Sequence, residues 1–169
     1  MLEKIALGGG CHWCTEAVFQ ALLGVEKVDQ GYVASSGDFE SFSEAVIVHF
    51  NPEMISLEIL IEIHLHTHKG TSDHSMRDKY RSAIYTYSAT QNTTCKQIID
   101  RLQDEFEHQL ITKVLPFETF KASREAIQNY YRKNPEKPFC EKFINPKLKF
   151  LLNTYDKHVD ENNILYKTV

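Results

Sequence analysis

Two cysteines near the start of the chain have the spacing of residues that do chemistry. They lie three positions apart in the stretch GGGCHWC (8–14), with the chain's only tryptophan between them. This C-x-x-C is compatible with a dithiol redox pair, with half of a metal-binding site, or with a single nucleophile whose neighbouring cysteine takes no part in the chemistry. The glycines lead into a helical pattern, so Cys11 is expected just ahead of a helix N-terminus, where the dipole favours a thiolate. Cys11 is therefore the better nucleophile, and Cys14 lies about one turn further in.

A metal-binding site would need more ligands at suitable spacing. A second C-x-x-C is absent from the sequence, and on a helix only His64 and His68 of the histidine-rich segment 64–74 share a face. We expect no metal and no organic cofactor. Cys95 stands alone in a helix-like stretch and is expected to be a small buried core residue.

Composition excludes several classes of protein. The 169 residues are 42% hydrophobic, which suits one compact domain, and the net charge of −4 comes with no strongly basic stretch. A nucleic-acid partner is therefore not expected, because it requires a basic face. No apolar run approaches the roughly 18 residues of a membrane helix, and the first ten residues do not form a signal peptide. We expect a cytoplasmic monomer without membrane contact, whose cysteines are reduced rather than paired in a permanent framework.

The order of predicted elements indicates the fold class. Strands and helices interleave as βαββαβ with a helical tail, which predicts a two-layer α/β sandwich with a ferredoxin-like core. We expect one catalytic domain over 1–169, with 135–169 as a C-terminal extension. The strands are predicted over 3–8, 25–33, 45–50, 82–87 and 112–115, and the helices over 14–22, 56–66, 90–108, 123–132 and 146–155.

Several motifs stand in one order along most of the chain. The first is GCHWCTEAVFQALLGVEKVDQGY, which resembles G-C-F-W-x-x-E-x-x-F followed by G-V and G-Y, the signature of the A-type peptide methionine sulfoxide reductases. Downstream, SEAVIVHFNP, KYRSAIY, VLPFETF and NPEKPFCEKFINPKL match family motifs over most of the chain.

The resemblance implies reduction of methionine-S-sulfoxide, free or in proteins. It assigns Cys11 as the nucleophile, Glu44 as the proton donor and Tyr80 as a hydrogen-bond partner of the sulfoxide oxygen, with His12 and Trp13 binding the substrate. Sulfoxide sulfur is electrophilic, and its oxygen must be protonated to leave. An apolar pocket raises the pKa of a carboxyl in the direction this needs.

Turnover in this family leaves the nucleophile as a sulfenic acid, which a second thiol converts to a disulfide. The resemblance names thioredoxin as the reductant that restores the enzyme. Cys140, in a proline-bounded loop, is the favoured resolving cysteine, and Cys14 is the alternative.

The sequence departs from the family in the surroundings of the nucleophile. His12 replaces a phenylalanine, and Arg77 replaces a glycine. A shortened segment before Glu44 lacks a family tyrosine, so Tyr32 is a candidate substitute. The family's acid falls on Ser75, which leaves nearby Asp73 as a candidate for substrate binding. Glu16 is expected to cap the first helix or to be exposed, with a place at the site's mouth as the alternative.

Two other classes of function remain open at this stage. A general thiol–disulfide oxidoreductase would use Cys11 and Cys14 as a thioredoxin-like pair, although no counterpart of its cis-proline loop is evident. A non-catalytic module would bind sulfoxide-bearing peptides or a metal without turnover.

Overall fold

A six-stranded sheet organises the computed structural model of the protein, which describes residues 1–166. The strands run in the order β5-β4-β1-β3-β2-β6. Their bounds are β1 Glu3–Gly8, β2 Val25–Ala34, β3 Ser43–Phe50, β4 Ala83–Thr86, β5 Lys113–Pro116 and β6 Thr119–Ala122. The helices are α1 His12–Gln20, α2 Leu57–Thr67, α3 Ala89–Leu102, α4 Tyr130–Lys133 and α5 Asn145–Thr154.

The four central strands confirm the predicted ferredoxin-like core. β1 pairs antiparallel with both β3 and β4, and β3 pairs antiparallel with β2. Outside this core, β5 joins β4 in parallel and β6 joins β2 antiparallel. The arrangement brings the end of β1, which leads to the glycine turn, beside the start of β3, which carries Glu44.

The main core fills the space between the sheet and the helices. β3 is buried on both faces, as its near-continuous apolar sequence implies. Cys95 is fully buried in this core, as predicted. The C-terminal segment belongs to the same core, because Cys140, Ile144 and Leu148 are fully buried in one cluster with Leu7 and Val18.

The predicted elements differ from the observed ones mainly after residue 102. The long helix predicted over 90–108 ends at Leu102. The helix predicted over 123–132 is wrong: a 3-10 turn at Glu125–Ile127 is separated from α4 by Asn129, which has φ +56°. β6 was not predicted. Within 1–166, no helix has the length and apolar character needed to cross a membrane.

Candidate active site

The glycine turn that precedes Cys11 is held tightly by its neighbours. Gly9 has φ +148°, and a Cβ placed there would overlap the ring of His68. The guanidinium of Arg77 donates to the carbonyl of Gly9 at 2.6 Å and to that of Tyr80 at 3.1 Å. It also donates through Nε to the Ser72 carbonyl at 2.8 Å. One side chain therefore holds together the turn before Cys11 and Tyr80, which lies three residues before the start of β4.

Cys11 occupies the N-cap position of α1, as the sequence predicted, and is partly exposed. Its pKa lies below the usual value, chiefly because the Cys14 thiol donates a hydrogen bond to it, with backbone N–H groups of Trp13 and Cys14 adding to the effect. The same contact and burial raise the pKa of Cys14. Cys11 is therefore the thiol that ionises, and Cys14 is its protonated neighbour.

Glu44 faces Cys11 across a cavity of about 430 Å³. It lies near the start of β3, is almost completely buried, and accepts from the backbone N–H of His12 at 3.3 Å. His12 Nε2 lies 3.3 Å from the same oxygen, and Lys79 Nζ lies 3.8 Å from the other. The register of β2 and β3 sets Tyr32 opposite Glu44, so Tyr32 also lines this cavity.

An aromatic wall closes one side of this first cavity. Trp13 stacks on Tyr130 with ring centroids 3.9 Å apart, and Phe139 packs edge-on at 5.2 Å from Trp13. Trp13 and Phe139 line the cavity directly. A wall of this kind suits an apolar substituent such as the methyl group and side-chain stem of an oxidised methionine.

Glu16 stabilises the position of this wall through buried hydrogen bonds. It is 2% exposed and accepts from Gln30 Nε2 at 2.9 Å and from the backbone N–H groups of Asn129 at 3.0 Å and Tyr130 at 3.2 Å. Burial raises the pKa of its carboxyl. The expectation of a capping or exposed residue is thus wrong, since Glu16 ties α1 to the segment that carries Tyr130.

Cys11 also lines a second cavity, of about 370 Å³. Cys11, Tyr80 and Phe139 line both cavities, whereas Cys14 lines only the second. Lys69 and Lys147 line it as well, and its lining within residues 1–166 includes no acidic side chain. Cys11 and Cys14 therefore share a cavity that is lined by two lysines and not by Glu44.

Cys140 begins a helical segment, Cys140–Ile144, and is fully buried. Its thiol donates to the carbonyl of Asn134 at 3.2 Å, and burial raises its pKa. It lines neither cavity.

The structure gathers most of the predicted residues around Cys11. His12, Trp13, Tyr32, Glu44 and Tyr80 line the first cavity with it. Asp73 is exposed and lines neither cavity, so the structure does not bring this candidate to the site. The analysis of the sequence missed five residues that line this cavity or pack against its aromatic wall, Phe42, Lys79, Ile127, Tyr130 and Phe139. No local pattern distinguishes them from other surface residues.

The histidine-rich segment is structural in part. His64 and His68 share a helix face, as predicted, and their buried rings stack at 4.0 Å. His64 Nε2 donates to the Gly8 carbonyl at 2.8 Å, and His68 Nε2 pairs with Ser82 at 2.7 Å. Burial lowers the pKa of both rings. Across residues 1–166, no group of three His, Cys, Asp or Glu side chains is arranged to hold a metal ion.

This fold and site define an enzyme that works with an activated thiol beside a buried carboxyl. A family model described as peptide methionine sulfoxide reductase matches residues 3–160. The peptide methionine sulfoxide reductase MsrA of Trichodesmium erythraeum is 34% identical, over 94% of this chain and 99% of that protein. The chain belongs to the peptide methionine sulfoxide reductase family, in its A type.

Solved structures agree with this assignment at the level of the fold. Mxr1 from Saccharomyces cerevisiae in reduced form has a TM-score of 0.71 at 24% identity, covering 82% of this chain and 89% of that one. The same yeast protein in complex with Trx2 has a TM-score of 0.61 at 24% identity, over 76% and 84% of the two chains. Neither alternative class considered from the sequence finds support in these comparisons.

Proposed function

We propose that this enzyme reduces methionine-S-sulfoxide, free or in proteins, with Cys11 as nucleophile and Glu44 as proton donor. Family membership makes it a methionine sulfoxide reductase. The observation that carries the residue assignment is that a thiol of lowered pKa and a buried carboxyl line one cavity with an aromatic wall. A substrate sulfur at Cys11 would have its oxygen directed toward Glu44 and its methyl group toward Trp13.

The first half-reaction balances with these groups alone. The Cys11 thiolate attacks the sulfoxide sulfur, and Glu44 gives a proton to the oxygen. The oxygen passes to Cys11, methionine is released, and Cys11 is left as a sulfenic acid. Tyr80 and Tyr32 line the cavity and are proposed as hydrogen-bond partners of the oxygen, which would replace the tyrosine missing from the shortened segment.

The S epimer is the proposed substrate because the chain belongs to the A-type family, and the two unlike sides of the cavity would account for selectivity between the epimers. A tetrahedral sulfur that presents its lone pair away from Cys11, its oxygen toward Glu44 and its methyl group toward Trp13 leaves one direction for the rest of the substrate. Inverting the sulfur exchanges two of these groups. The R epimer would then place oxygen against the aromatic wall or carbon against the carboxyl, at the cost of an unsatisfied polar contact.

Resolution of the sulfenic acid has two candidate thiols. The sequence favours Cys140, but that thiol is fully buried, bonded to Asn134 and absent from both cavities. Cys14 lines the second cavity together with Cys11, and its thiol lowers the pKa of Cys11. We therefore propose that Cys14 traps the sulfenic acid first, releasing water and forming a Cys11–Cys14 disulfide. The Cys11–Cys140 bond stays a prediction that requires the segment after Asn134 to move.

Thioredoxin is the proposed reductant. The yeast protein Mxr1, which shares the fold, has been crystallised with Trx2. We also propose that the chain acts as one catalytic domain, since its C-terminal segment shares the core with α1. The cytoplasm is the proposed location because the reaction consumes reduced thiols. The monomeric state stays a prediction.

The experiment that tests the activity uses the separate S and R epimers of a methionine sulfoxide derivative, with dithiothreitol as reductant. We expect turnover of the S epimer only, lost in Cys11→Ser. Glu44→Gln should lose most of its turnover while Cys11 still reacts with iodoacetamide. Turnover of both epimers would refute the stereochemical proposal, and full turnover in Glu44→Gln would refute the proton donor.

The resolving thiol is identified by peptide mapping after one equivalent of substrate, in wild type, Cys14→Ser and Cys140→Ser. We expect a Cys11–Cys14 disulfide in wild type and in Cys140→Ser. A Cys11–Cys140 disulfide in wild type would overturn this order and confirm the prediction from the sequence.

A further inference from the structure

His12 is a titratable residue in direct contact with the acid of the proposed reaction, at a position where the family motif has phenylalanine. It is the first residue of α1 and is 4% exposed. Its two ring nitrogens have different surroundings, and these surroundings fix which nitrogen carries the proton.

The carbonyl of Gly31 fixes the tautomer of His12. Nδ1 lies 3.0 Å from this oxygen, in β2, and a carbonyl oxygen can only accept. Nδ1 therefore carries a hydrogen in both the neutral and the charged ring. In the neutral ring, Nε2 is consequently an acceptor with a free lone pair.

That lone pair faces the carboxyl of Glu44. Nε2 and Oε1 are 3.3 Å apart, and both side chains are less than 10% exposed. If neither group carried a proton, a lone pair would face a carboxylate oxygen in a site with little water. A single proton, on Nε2 or on Oε1, removes this repulsion, whereas two protons would leave two donors facing each other.

We propose that His12 and Glu44 hold one proton between them, and that His12 is the second holder of the proton that Glu44 delivers to the sulfoxide oxygen. The inference rests on the proposed role of Glu44. In one form of the pair the proton is already on the carboxyl. In the other, the proton first passes from Nε2 to Oε1, and the new Oε1–H bond then breaks as the substrate oxygen takes that same proton. Either way the pair ends without a proton and takes one from water before the next turnover.

The remaining groups around the pair do not replace His12 in this role. Lys79 lies 3.8 Å from Glu44 Oε2, but its side chain is mostly exposed and points to the other carboxyl oxygen. The Tyr32 ring packs edge-on against His12 at 5.3 Å, and Tyr80 and Cys11 complete the lining. Within residues 1–166, His12 is the one imidazole that lines this cavity.

The sign of the pH effect follows from counting the sites that hold the proton. A pair that shares one proton loses it at a higher pH than either site would alone, because each site adds to the binding. Replacing His12 with phenylalanine removes one site and the acceptor for the carboxyl's hydrogen. The alkaline limb of the pH–rate profile for the first half-reaction should therefore move to lower pH.

The kinetic test measures the single-turnover rate of methionine formation against pH, with S-epimer substrate and pre-reduced enzyme. His12→Phe should move the alkaline limb down with little change in substrate KM, because the flat ring is kept. His12→Asn keeps a donor near Gly31 but cannot reach Glu44, so it should behave like His12→Phe. His12→Gln keeps a donor to Glu44 that cannot titrate, so it too should lose the wild-type limb. His66→Phe, on α2 away from the cavity, is the matched control and should keep it.

If the alkaline limb of all three His12 variants falls at the same pH as in wild type, the proposal is overturned and His12 has only a packing role. A limb restored by His12→Gln alone would also overturn it, because a fixed hydrogen bond would then suffice.

A second readout needs no turnover and so separates this proposal from that of the activity. Ring ¹⁵N–¹H correlation spectra should show His12 with hydrogen on Nδ1 throughout the titration. The side-chain carboxyl ¹³C signal of Glu44 should change with the same midpoints as His12. Independent midpoints, or hydrogen on Nε2 alone in the neutral ring, would refute proton sharing even in a fully active enzyme. Loss of activity with shared midpoints would instead refute only the proposed reaction.

Discussion

Replacing Glu16 with alanine should loosen the aromatic wall of the site without touching the reacting groups. The carboxylate accepts from two backbone N–H groups of the 129–130 segment and from Gln30. Gln30 keeps a second partner, the carbonyl of Ile127 at 3.1 Å, so two donors are orphaned. An unsatisfied buried donor costs about 1–3 kcal/mol.

The net loss of unfolding free energy should be near the lower end of the summed cost of the two orphaned donors. Both N–H groups are only partly buried and regain water, and the variant no longer buries a charge. We therefore expect the free energy of unfolding to fall by about 2 kcal/mol. Glu58→Ala, which breaks an exposed ion pair with Arg101, is the matched control and should cost no more than about 0.5 kcal/mol.

The loss should also depend on pH. Because burial raises the pKa of Glu16, the folded state binds its proton more tightly than the unfolded state does. Wild-type stability then falls as pH rises from the unfolded pKa through the folded one. The difference in unfolding free energy between wild type and Glu16→Ala should accordingly be largest on the acidic side of this window and should shrink as pH rises.

The assay is urea unfolding followed by both far-ultraviolet circular dichroism and tryptophan fluorescence. Trp13 is the only tryptophan, so its fluorescence reports on the wall itself. In Glu16→Ala the fluorescence transition should precede the dichroism transition, and KM for a methionine sulfoxide peptide should rise more than kcat falls. Coincident transitions with unchanged stability would show that the Glu16 contacts do not hold the wall.

Three other variants test the surroundings of Cys11, and a fourth tests the core. Gly9→Ala should reduce the single-turnover rate at least tenfold, because its Cβ would overlap the His68 ring at a positive φ. Arg77→Lys, which cannot form the same fork of hydrogen bonds, should lower kcat by about tenfold while circular dichroism stays native. Cys14→Ala should shift the pH midpoint of iodoacetamide alkylation at Cys11 upward, since it removes the donor that lowers the Cys11 pKa. Cys95→Ala should leave turnover unchanged and cost about 1–2 kcal/mol of stability in denaturant titration.

Local signals in the sequence were enough to predict the nucleophile and the core topology. The glycine turn, the C-x-x-C and the start of α1 are adjacent in the chain, so their geometry follows from the rules of helix N-termini. The alternation of strands and helices through β4 is likewise a local pattern, and it led to the correct ferredoxin-like order.

The segment after residue 102 depends on contacts that the sequence does not show. A helical spacing over 123–132 is overridden at Asn129, where a left-handed backbone and the distant carboxylate of Glu16 hold the chain. Tyr130 directly follows this turn and Phe139 lies in the segment after α4, and no motif marks either of them as a site residue. The burial of Cys140 is also a tertiary effect, which is why its loop position suggested a more accessible thiol.

The two cavities give the sulfur of Cys11 two separate approaches. The carboxyl of Glu44 and the aromatic wall lie on one side, and Cys14 lies on the other with Lys69 and Lys147. On the proposed roles, the substrate and Cys14 would therefore reach Cys11 from different cavities. Methionine would then not have to leave its cavity before Cys14 reacts, so product release and disulfide formation would be free to occur in either order.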